Sequence, residues 1–220
     1  MTTQLPFANR AEAGRLLGEK LATEVELSPG TLVLGLVRGG AVVAAQLAHA
    51  TGLAWDVLIV RKIGAPGQPE YAAGAYAENG AMMINEYARR SMHIDDSFYE
   101  LGTIRAEEEC KRLHVDLRGD AQQPDLAGKE LVLTDDGMAT GLSMQAAIAA
   151  ARSAEAERVI VAVPVLAPDA LAWLKRHMVE YSFLACPPGF HAVGQYYADF
   201  APVSGAQVRE LLTARQLGNR

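Results

Sequence analysis

The residues best suited to chemistry lie in one segment, residues 131–143, which reads LVLTDDGMATGLS. Two adjacent carboxylates, Asp135 and Asp136, follow an apolar run typical of a buried strand, and a loop of small residues leads into an alanine-rich, helix-like stretch. Such a loop presents backbone N–H groups to an anion, and the helix dipole adds partial positive charge there. Thr140 and Ser143 add hydroxyl donors, while the carboxylates can accept from sugar hydroxyls. The segment therefore predicts a site for a sugar 5-phosphate.

A plainer explanation is that Asp135 and Asp136 merely end a strand and that Gly137 and Gly141 only form turns. That explanation fits an isolated Asp-Asp-Gly better than it fits the whole segment. A Walker A loop is excluded because it needs a Lys followed by Ser or Thr, and no GxGxxG pattern follows the first predicted strand. Sites for nucleoside triphosphates and dinucleotides are therefore disfavoured.

Two further loops carry cations and glycines where predicted strands end. Residues 37–40 (VRGG) follow the first strand, and residues 61–64 (RKIG) end the second. Cations and oriented N–H groups at these places can stabilise a leaving anion such as pyrophosphate. Each loop also has an ordinary explanation. Residues 37–40 could be a strand-to-helix turn with a surface arginine, and Arg61 and Lys62 could be two solvated cations at a strand end.

In order and spacing over about residues 31–165, these three loops resemble the type I phosphoribosyltransferases. The family signature for phosphoribosyl pyrophosphate (PRPP) is an apolar strand, two acidic residues and a small-residue loop with a Thr-Gly pair; residues 131–143 are called the signature loop below. The chain is also similar to a bacterial and archaeal group of predicted phosphoribosyltransferases with unassigned acceptor. By this resemblance Asp135 and Asp136 hold the ribose 2- and 3-hydroxyls. The implied 5-phosphate site comprises Gly137, Met138, Ala139, Thr140, Gly141 and Ser143.

The resemblance also gives roles to the other two loops. Residues 37–40, the VRGG loop, look like the family's pyrophosphate loop, which usually has a cis peptide bond, here between Val37 and Arg38. Residues 61–64 are similar to a segment of adenine phosphoribosyltransferases that leads into a mobile lid, here residues 65–71. The implied pyrophosphate site comprises Arg38, Gly39, Gly40, Arg61 and Lys62, and the implied catalytic residues are Arg38, Lys62, Asp135 and Asp136.

The implied reaction transfers 5-phosphoribosyl from PRPP to a nitrogenous base or similar acceptor and releases pyrophosphate with Mg²⁺. The ion bridges substrate oxygens and keeps several waters, so no dedicated metal site is expected. Ala139 stands where the 6-oxopurine branch of the family has an aspartate, and the pattern looks more like the adenine and orotate branches. A general base must then come from elsewhere. His191 and Glu70 are candidates, although a lone His near a Pro-Pro-Gly turn is more often structural.

A cluster of aromatic residues marks a candidate acceptor region. Five aromatics fall within residues 183–200, and the stretch 190–200 (FHAVGQYYADF) resembles the ending of the same group. Aromatic side chains can stack on a planar base, and Phe190, His191 and Tyr196 are the candidate contacts. The cluster could equally seal the edge of the sheet.

Alternating patterns predict the scaffold that positions these loops. Predicted strands cover residues 31–37, 55–60, 129–134, 159–163 and 181–185. The first predicted helix begins after a cap on Asn9, and further helices are predicted at residues 41–50, 95–117, 142–152, 168–177 and 204–215. Residues 63–70 are predicted as a loop, followed by short extended runs at 73–76 and 81–84. The prediction is an α/β fold, a mostly parallel sheet with helices on both faces. Ligands of such sheets bind beyond the carboxyl ends of the strands.

The length of 220 residues favours a single domain spanning residues 1–220. The predicted core covers about residues 28–185, with an inserted helical segment at about 86–120. Residues 186–203, here called the hood, would cover the site, and the N-terminal segment is a further candidate for it.

Composition limits the expected partners. Twenty Lys and Arg against 26 Asp and Glu give a net charge of −6, which disfavours nucleic acid. No signal peptide is evident and no run approaches the roughly 18 apolar residues of a membrane span. Two widely separated cysteines fit a reducing cytoplasm. Small-molecule substrates are expected, with a homodimer left open because the helix at 95–117 is available for a partner.

Two other functions remain open at this point. A non-catalytic regulatory protein could sense PRPP or a nucleotide on the same fold, although the acidic charge and the lack of a helix-turn-helix segment disfavour a DNA-binding regulator. A hydrolase or phosphatase acting on a sugar phosphate would release inorganic phosphate in place of pyrophosphate.

Overall fold

The computed structural model describes residues 5–218. Its strands are β1 (Leu32–Leu36), β2 (Ala54–Leu58), β3 (Val60–Ala65), β4 (Gln68–Ala77), β5 (Met82–Ile84), β6 (Glu130–Thr134), β7 (Arg158–Val165) and β8 (Glu180–Ala185). Its helices are α1 (Arg10–Glu24), α2 (Gly39–Thr51), α3 (Glu86–Ser91), α4 (Asp96–Arg118), α5 (Leu142–Ser153), α6 (Pro168–Arg176) and α7 (Gly205–Gly218).

The larger sheet has five strands in the order β2-β1-β6-β7-β8, and every neighbouring pair is parallel. The chain runs from β1 through α2 to β2 in one direction, and from β6 through α5 to β7 in the other. The strand order therefore reverses between β1 and β6. The loops that follow these two strands leave the same edge of the sheet side by side, where α/β sheets bind their ligands.

Helices cover both faces of this sheet because its strands are apolar on both sides. Leu34 and Leu133, paired across β1 and β6, belong to a core that includes buried residues of α5 and α6. Their neighbours Val33 and Val132 point to the opposite face, in a core with residues of α1, α2 and α7. The predicted α/β class with a mostly parallel sheet is confirmed.

The smaller sheet corrects one sequence prediction. Residues 63–70 were expected to form a loop, but β3 continues through Ala65 and β4 begins at Gln68, with these two residues paired. The two-residue turn between them contains Gly67 at φ +71°, and the register shifts on both sides of Gly64. The glycines and prolines that indicated a loop instead form a turn and a bulge inside a hairpin. The loop prediction is wrong; closure of residues 65–71 as a lid stays a prediction.

Helix α4 confirms the predicted helix at 95–117 and is tied to both sheets. Asp95 caps it by accepting from the Phe98 N–H. Near its end, Arg118 lies 2.9 Å from Glu78 beyond β4 and 3.3 Å from Asp56 on β2, and all three side chains are buried. The short helix α3 lies within the predicted helical segment at about 86–120 but was not predicted as a separate helix; Asn85 caps it.

The predicted domain limits stay a prediction, and residues 1–4 and 219–220 lie outside the described residues. In the described chain, no helix is both long enough and apolar enough to cross a membrane.

Candidate active site

The signature loop leaves the end of β6 and is held against the end of β7. Asp135 accepts a hydrogen bond from the Asp136 N–H at 2.9 Å. Met138 donates to the Val165 carbonyl at 2.9 Å and its own carbonyl accepts from Ala167 at 2.8 Å. These bonds fix the loop in place and leave the N–H groups of residues 139–144, which follow Met138, unused.

Gly141 turns the signature loop into α5. It is the N-cap of this helix and has φ +75°, a conformation that favours glycine. A Cβ atom added here would lie 2.4 Å from Cε of the buried Met138. Both the backbone conformation and the packing therefore require glycine at this entry to the helix.

The backbone N–H groups at this turn are open. Among the residues that the structure describes, none accepts a hydrogen bond from the N–H groups of residues 139–144. The first turn of α5 carries no acidic side chain that could serve as an internal anion. Ser143 is half-buried in that turn and Thr140 is exposed just before it. Open N–H groups at a helix N-terminus can bind an anion; the predicted 5-phosphate site stays a prediction.

The VRGG loop packs directly on the acidic pair. The Val37–Arg38 peptide bond is cis, which confirms the expectation from the resemblance. A Cβ atom on Gly39 would lie 2.0 Å from the Asp136 carboxylate, and one on Gly40 would lie 2.9 Å from Cα of Asp135. The two loops can therefore meet only because these positions are glycine. Arg38 is exposed beside them.

The acidic pair carries its charge in a dehydrated place. Burial raises the pKa of Asp135 well above its usual range, and the like charge of Asp136 raises it further. Burial also raises the pKa of Asp136, against the opposing effect of its hydrogen bond with Arg10. The cation of Lys62 favours the ionised form of both, so Lys62 acts on the pair from β3. A ligand that donates hydroxyl groups would restore hydrogen bonds that water no longer supplies.

Arg10, at the start of α1, is a site residue that the sequence analysis missed. Its Nε lies 2.8 Å from Oδ2 of Asp136, and the two side chains are 10% and 16% exposed. Its guanidinium also donates to the Ala201 carbonyl at 2.9 Å and lies 3.8 Å from the centre of the Phe200 ring. A sequence signal did exist, because a cation in the first turn of a helix opposes the dipole and usually has another partner.

The other predicted cation, Arg61, does not join the acidic pair. Its Nε lies 3.0 Å from Glu109 on α4, while the next residue, Lys62, is exposed on the opposite side of β3. This difference follows from the alternation of side chains along a strand. Lys62 therefore acts on the charge of the two carboxylates, whereas Arg61 is paired with Glu109.

The hood packs against the signature loop through residues of its 3₁₀ helix and through the tyrosine that follows it. Val193, in a short 3₁₀ helix (Val193–Tyr196), packs so closely that a Cβ on Gly137 would lie 2.6 Å from it. The Tyr197 hydroxyl donates to the Asp136 carbonyl. The predicted acceptor residues lie farther out: Phe190 packs 5.2 Å from the Tyr196 ring, and His191 is exposed. The Glu70 side chain lies outside the described part of the chain.

The site fits a magnesium ion held mainly by substrate. No group of three or more His, Cys, Asp or Glu side chains able to hold a metal occurs among the described residues. Mg²⁺ commonly binds through substrate phosphates and waters rather than through an all-protein cage. The carboxylate oxygens of Asp135 and Asp136 suit such an ion, and the open N–H groups suit the phosphates that would carry it.

Comparison with known proteins agrees with this geometry. A family model described as the phosphoribosyl transferase domain matches residues 10–193. Two Mycobacterium tuberculosis proteins, provisionally named phosphoribosyl transferases, are each 37% identical over 203 residues, or 92% of this chain, which spans only 45% of their length. The crystal structure of TT1426 from Thermus thermophilus is 39% identical, with a TM-score of 0.79 over 96% of this chain and 99% of that one. The family inferred from the three loops is confirmed, and the chain belongs to the phosphoribosyl transferase domain family.

Proposed function

We propose that this chain transfers a 5-phosphoribosyl group from PRPP to a nitrogenous base or a similar acceptor and releases pyrophosphate with Mg²⁺. One observation carries the proposal: the open N–H groups of residues 139–144 lie directly after two half-buried carboxylates whose pKa values are raised by desolvation. A 5-phosphorylated ribose has an anion at one end and a hydroxyl pair next to the reacting carbon. It matches that arrangement in order and in charge.

The signature loop is proposed to bind the sugar phosphate end of the substrate. The open backbone N–H groups from Ala139 to Ser143, together with the Thr140 and Ser143 hydroxyls, hold the 5-phosphate, whereas the Met138 N–H is already bonded to the Val165 carbonyl. Asp135 and Asp136 accept hydrogen bonds from the ribose 2- and 3-hydroxyls. Their negative charge also favours the positive charge that develops on the ribose ring as the C1–O bond breaks.

The leaving group is proposed to lie against the VRGG loop. Gly39 and Gly40 start α2, so their N–H groups and the helix dipole face the departing pyrophosphate. Arg38 and Lys62 are the cations that meet it. When bound with the substrate, Mg²⁺ would supply further positive charge to the leaving group. Arg61 joins them only by leaving Glu109.

The reaction balances with a single transferred group. The bond from ribose C1 to the pyrophosphate oxygen breaks, and its electron pair leaves with pyrophosphate. A new bond forms from C1 to the acceptor nitrogen, which gives up one proton. Ala139 cannot accept that proton, so the proton goes to solvent or to a group on the acceptor side. The hood residues Phe190, His191 and Tyr196 are proposed to contact the acceptor.

Two coarser expectations accompany this proposal. Cys110 and Cys186 are both free, which suits the proposed reducing cytoplasm. A homodimer is likewise a proposal, to be tested by the mass of the protein in solution.

The test is to incubate the protein with PRPP, Mg²⁺ and a panel of purine and pyrimidine bases, and to follow pyrophosphate. We expect release that depends on one class of base and is lost in the double variant Asp135→Asn/Asp136→Asn. Binding of PRPP without release under any acceptor would favour a sensor. Release of inorganic phosphate in place of pyrophosphate would favour a hydrolase. Failure to bind PRPP or ribose 5-phosphate at all would contradict the proposal.

A further inference from the structure

The contact between Arg10 and Asp136 joins three parts of the chain that are far apart in sequence. Arg10 begins α1, Asp136 lies in the signature loop, and Phe200 and Ala201 follow the hood's 3₁₀ helix. Each part of the guanidinium has a separate contact: Nε with the carboxylate, Nη1 with the carbonyl and the planar face with the aromatic ring. An arginine held in this way has little freedom to turn.

The carboxylate oxygen that Arg10 holds is at the junction of the two loops. The same Oδ2 atom lies 2.0 Å from the place where a Gly39 Cβ would be, and Arg10 Nε lies 3.1 Å from that place. Asp136 therefore has one oxygen fixed between Arg10 and the VRGG loop. Its orientation depends on Arg10, because the two other side chains of the described residues that hydrogen-bond Asp136 contact its backbone and leave the carboxylate alone: Asp135 accepts from its N–H and Tyr197 donates to its carbonyl.

The cost of burying Arg10 also needs explanation. A guanidinium and a carboxylate that are both mostly buried lose water contacts, and such a pair adds little net stability compared with apolar residues. The first turn of a helix is, in addition, an unfavourable place for a cation. The pair is explained better by fixing the geometry of the carboxylate than by stabilising the fold.

We infer that Arg10 is a positioning residue, which holds Asp136 in the orientation that receives the ribose hydroxyls and thereby links Phe200 and Ala201 to the sugar site. The inference rests on the proposed function. It assigns to α1 a part in substrate binding, because Arg10 of this helix orients the Asp136 carboxylate of the signature loop. It also predicts a specific pattern: Arg10 matters for ligands with ribose hydroxyls and not for phosphate alone.

The experiment compares two ligands in Arg10→Gln. Ribose 5-phosphate occupies both the phosphate site and the acidic pair, whereas inorganic phosphate occupies only the open N–H groups. We expect affinity for ribose 5-phosphate to fall about tenfold or more, as for loss of one hydrogen bond between charged groups, with inorganic phosphate unchanged. Arg15→Gln is the matched control, because Arg15 lies on the same helix, half exposed, and its one ion pair within the described residues is with Glu19; it should change neither affinity.

Arg10→Lys and Phe200→Leu keep the test decisive if Arg10→Gln does not fold. Lysine cannot make all three contacts, and leucine removes the surface on which the guanidinium rests, so both should weaken ribose 5-phosphate selectively. Equal loss of both ligands, or no loss of either, would overturn the inference and leave the proposed function intact. Tighter binding of ribose 5-phosphate in Arg10→Gln would also overturn it, because Arg10 would then block Asp136. If the unmodified protein binds no ribose 5-phosphate, the proposed function fails as well.

Discussion

The signature loop and the hood are in contact, but they differ in whether their polar groups have hydrogen-bond partners. In the described chain, the N–H groups of residues 139–144 are left without a partner. In the hood, Gln195 bonds to the Tyr196 hydroxyl at 3.1 Å and receives the Ala192 N–H at 3.1 Å, and Tyr196 bonds in turn to the Gly189 carbonyl. The N–H groups of the loop are therefore available to an external anion, whereas these polar groups of the hood are hydrogen-bonded within the hood.

This difference explains why one half of the substrate is easier to infer than the other. An anion site built from backbone groups depends on glycines and a helix start, which a sequence displays directly. An acceptor site built from side chains must expose unsatisfied polar groups or aromatic faces. The polar groups of the hood described above are bonded to one another, so the hood presents mainly the faces of its aromatic rings. Changes at backbone positions of the loop should therefore reduce binding strongly, and changes to hood hydroxyls weakly.

The largest effect is expected for Gly39→Ala. Its methyl group would occupy a place 2.0 Å from the Asp136 carboxylate, and displacement of a reacting group by an ångström can cost about 100-fold in rate. We expect kcat/KM for PRPP to fall by about that factor. Gly30→Ala is the control, since a methyl group there meets nothing within 4 Å. Unchanged kcat/KM in Gly39→Ala would show that the two loops do not act together.

A smaller loss is expected for Gly141→Ala. The variant must hold alanine at φ +75° and move the end of Met138, which costs about 1–3 kcal/mol and distorts the phosphate turn. We expect inorganic phosphate affinity to fall about tenfold. Gly128→Ala pays a similar backbone cost at φ +63° in open space. It should lower Tm without weakening phosphate, and equal effects in both variants would contradict the assignment.

The two hood tyrosines should differ although they are neighbours. Tyr197→Phe removes the hydroxyl that donates to the Asp136 carbonyl, at a cost of about 1 kcal/mol, and ribose 5-phosphate affinity should fall about threefold to fivefold. Tyr196→Phe removes a hydroxyl bonded within the hood and should leave that affinity unchanged. Titration of both variants measures the difference, and a larger loss in Tyr196→Phe would reverse the comparison.

The smallest effect is on stability. Because the pKa of Asp135 is raised in the folded protein from its ordinary 3.8, the fold loses stability as pH rises from about 3.8 through the raised value. Asp135→Asn keeps an acceptor for the Asp136 N–H but cannot ionise. At pH 7.5 its Tm should exceed that of the unmodified protein by about 2–4 °C, and the gain should vanish below the ordinary Asp pKa. A lower Tm at pH 7.5 would contradict the buried charge.

The fold was predictable wherever a local pattern decided the structure. Apolar runs and capping residues indicated the five parallel strands and α4 correctly. The hairpin of β3 and β4 was missed because the glycines and prolines that mark loops also mark tight turns and bulges, and only pairing with a distant segment distinguishes them. The helix α3 is too short for its period to be visible.

The candidate site divides along the same line. The signature loop and the VRGG loop were found because each is continuous in sequence. Arg10 and the pairing of Arg61 with Glu109 were missed because both depend on contacts between α1 or α4 and residues 48 to 126 positions away. Only the position of Arg10 in the first turn of its helix gave a hint.

The proposed sugar phosphate site can be observed in a crystal of the protein soaked with ribose 5-phosphate. We expect the phosphate within hydrogen-bond distance of the N–H groups of residues 139–143, with the 2- and 3-hydroxyls on Asp135 and Asp136. A phosphate bound elsewhere, or a sugar whose hydroxyls point away from both carboxylates, would contradict it.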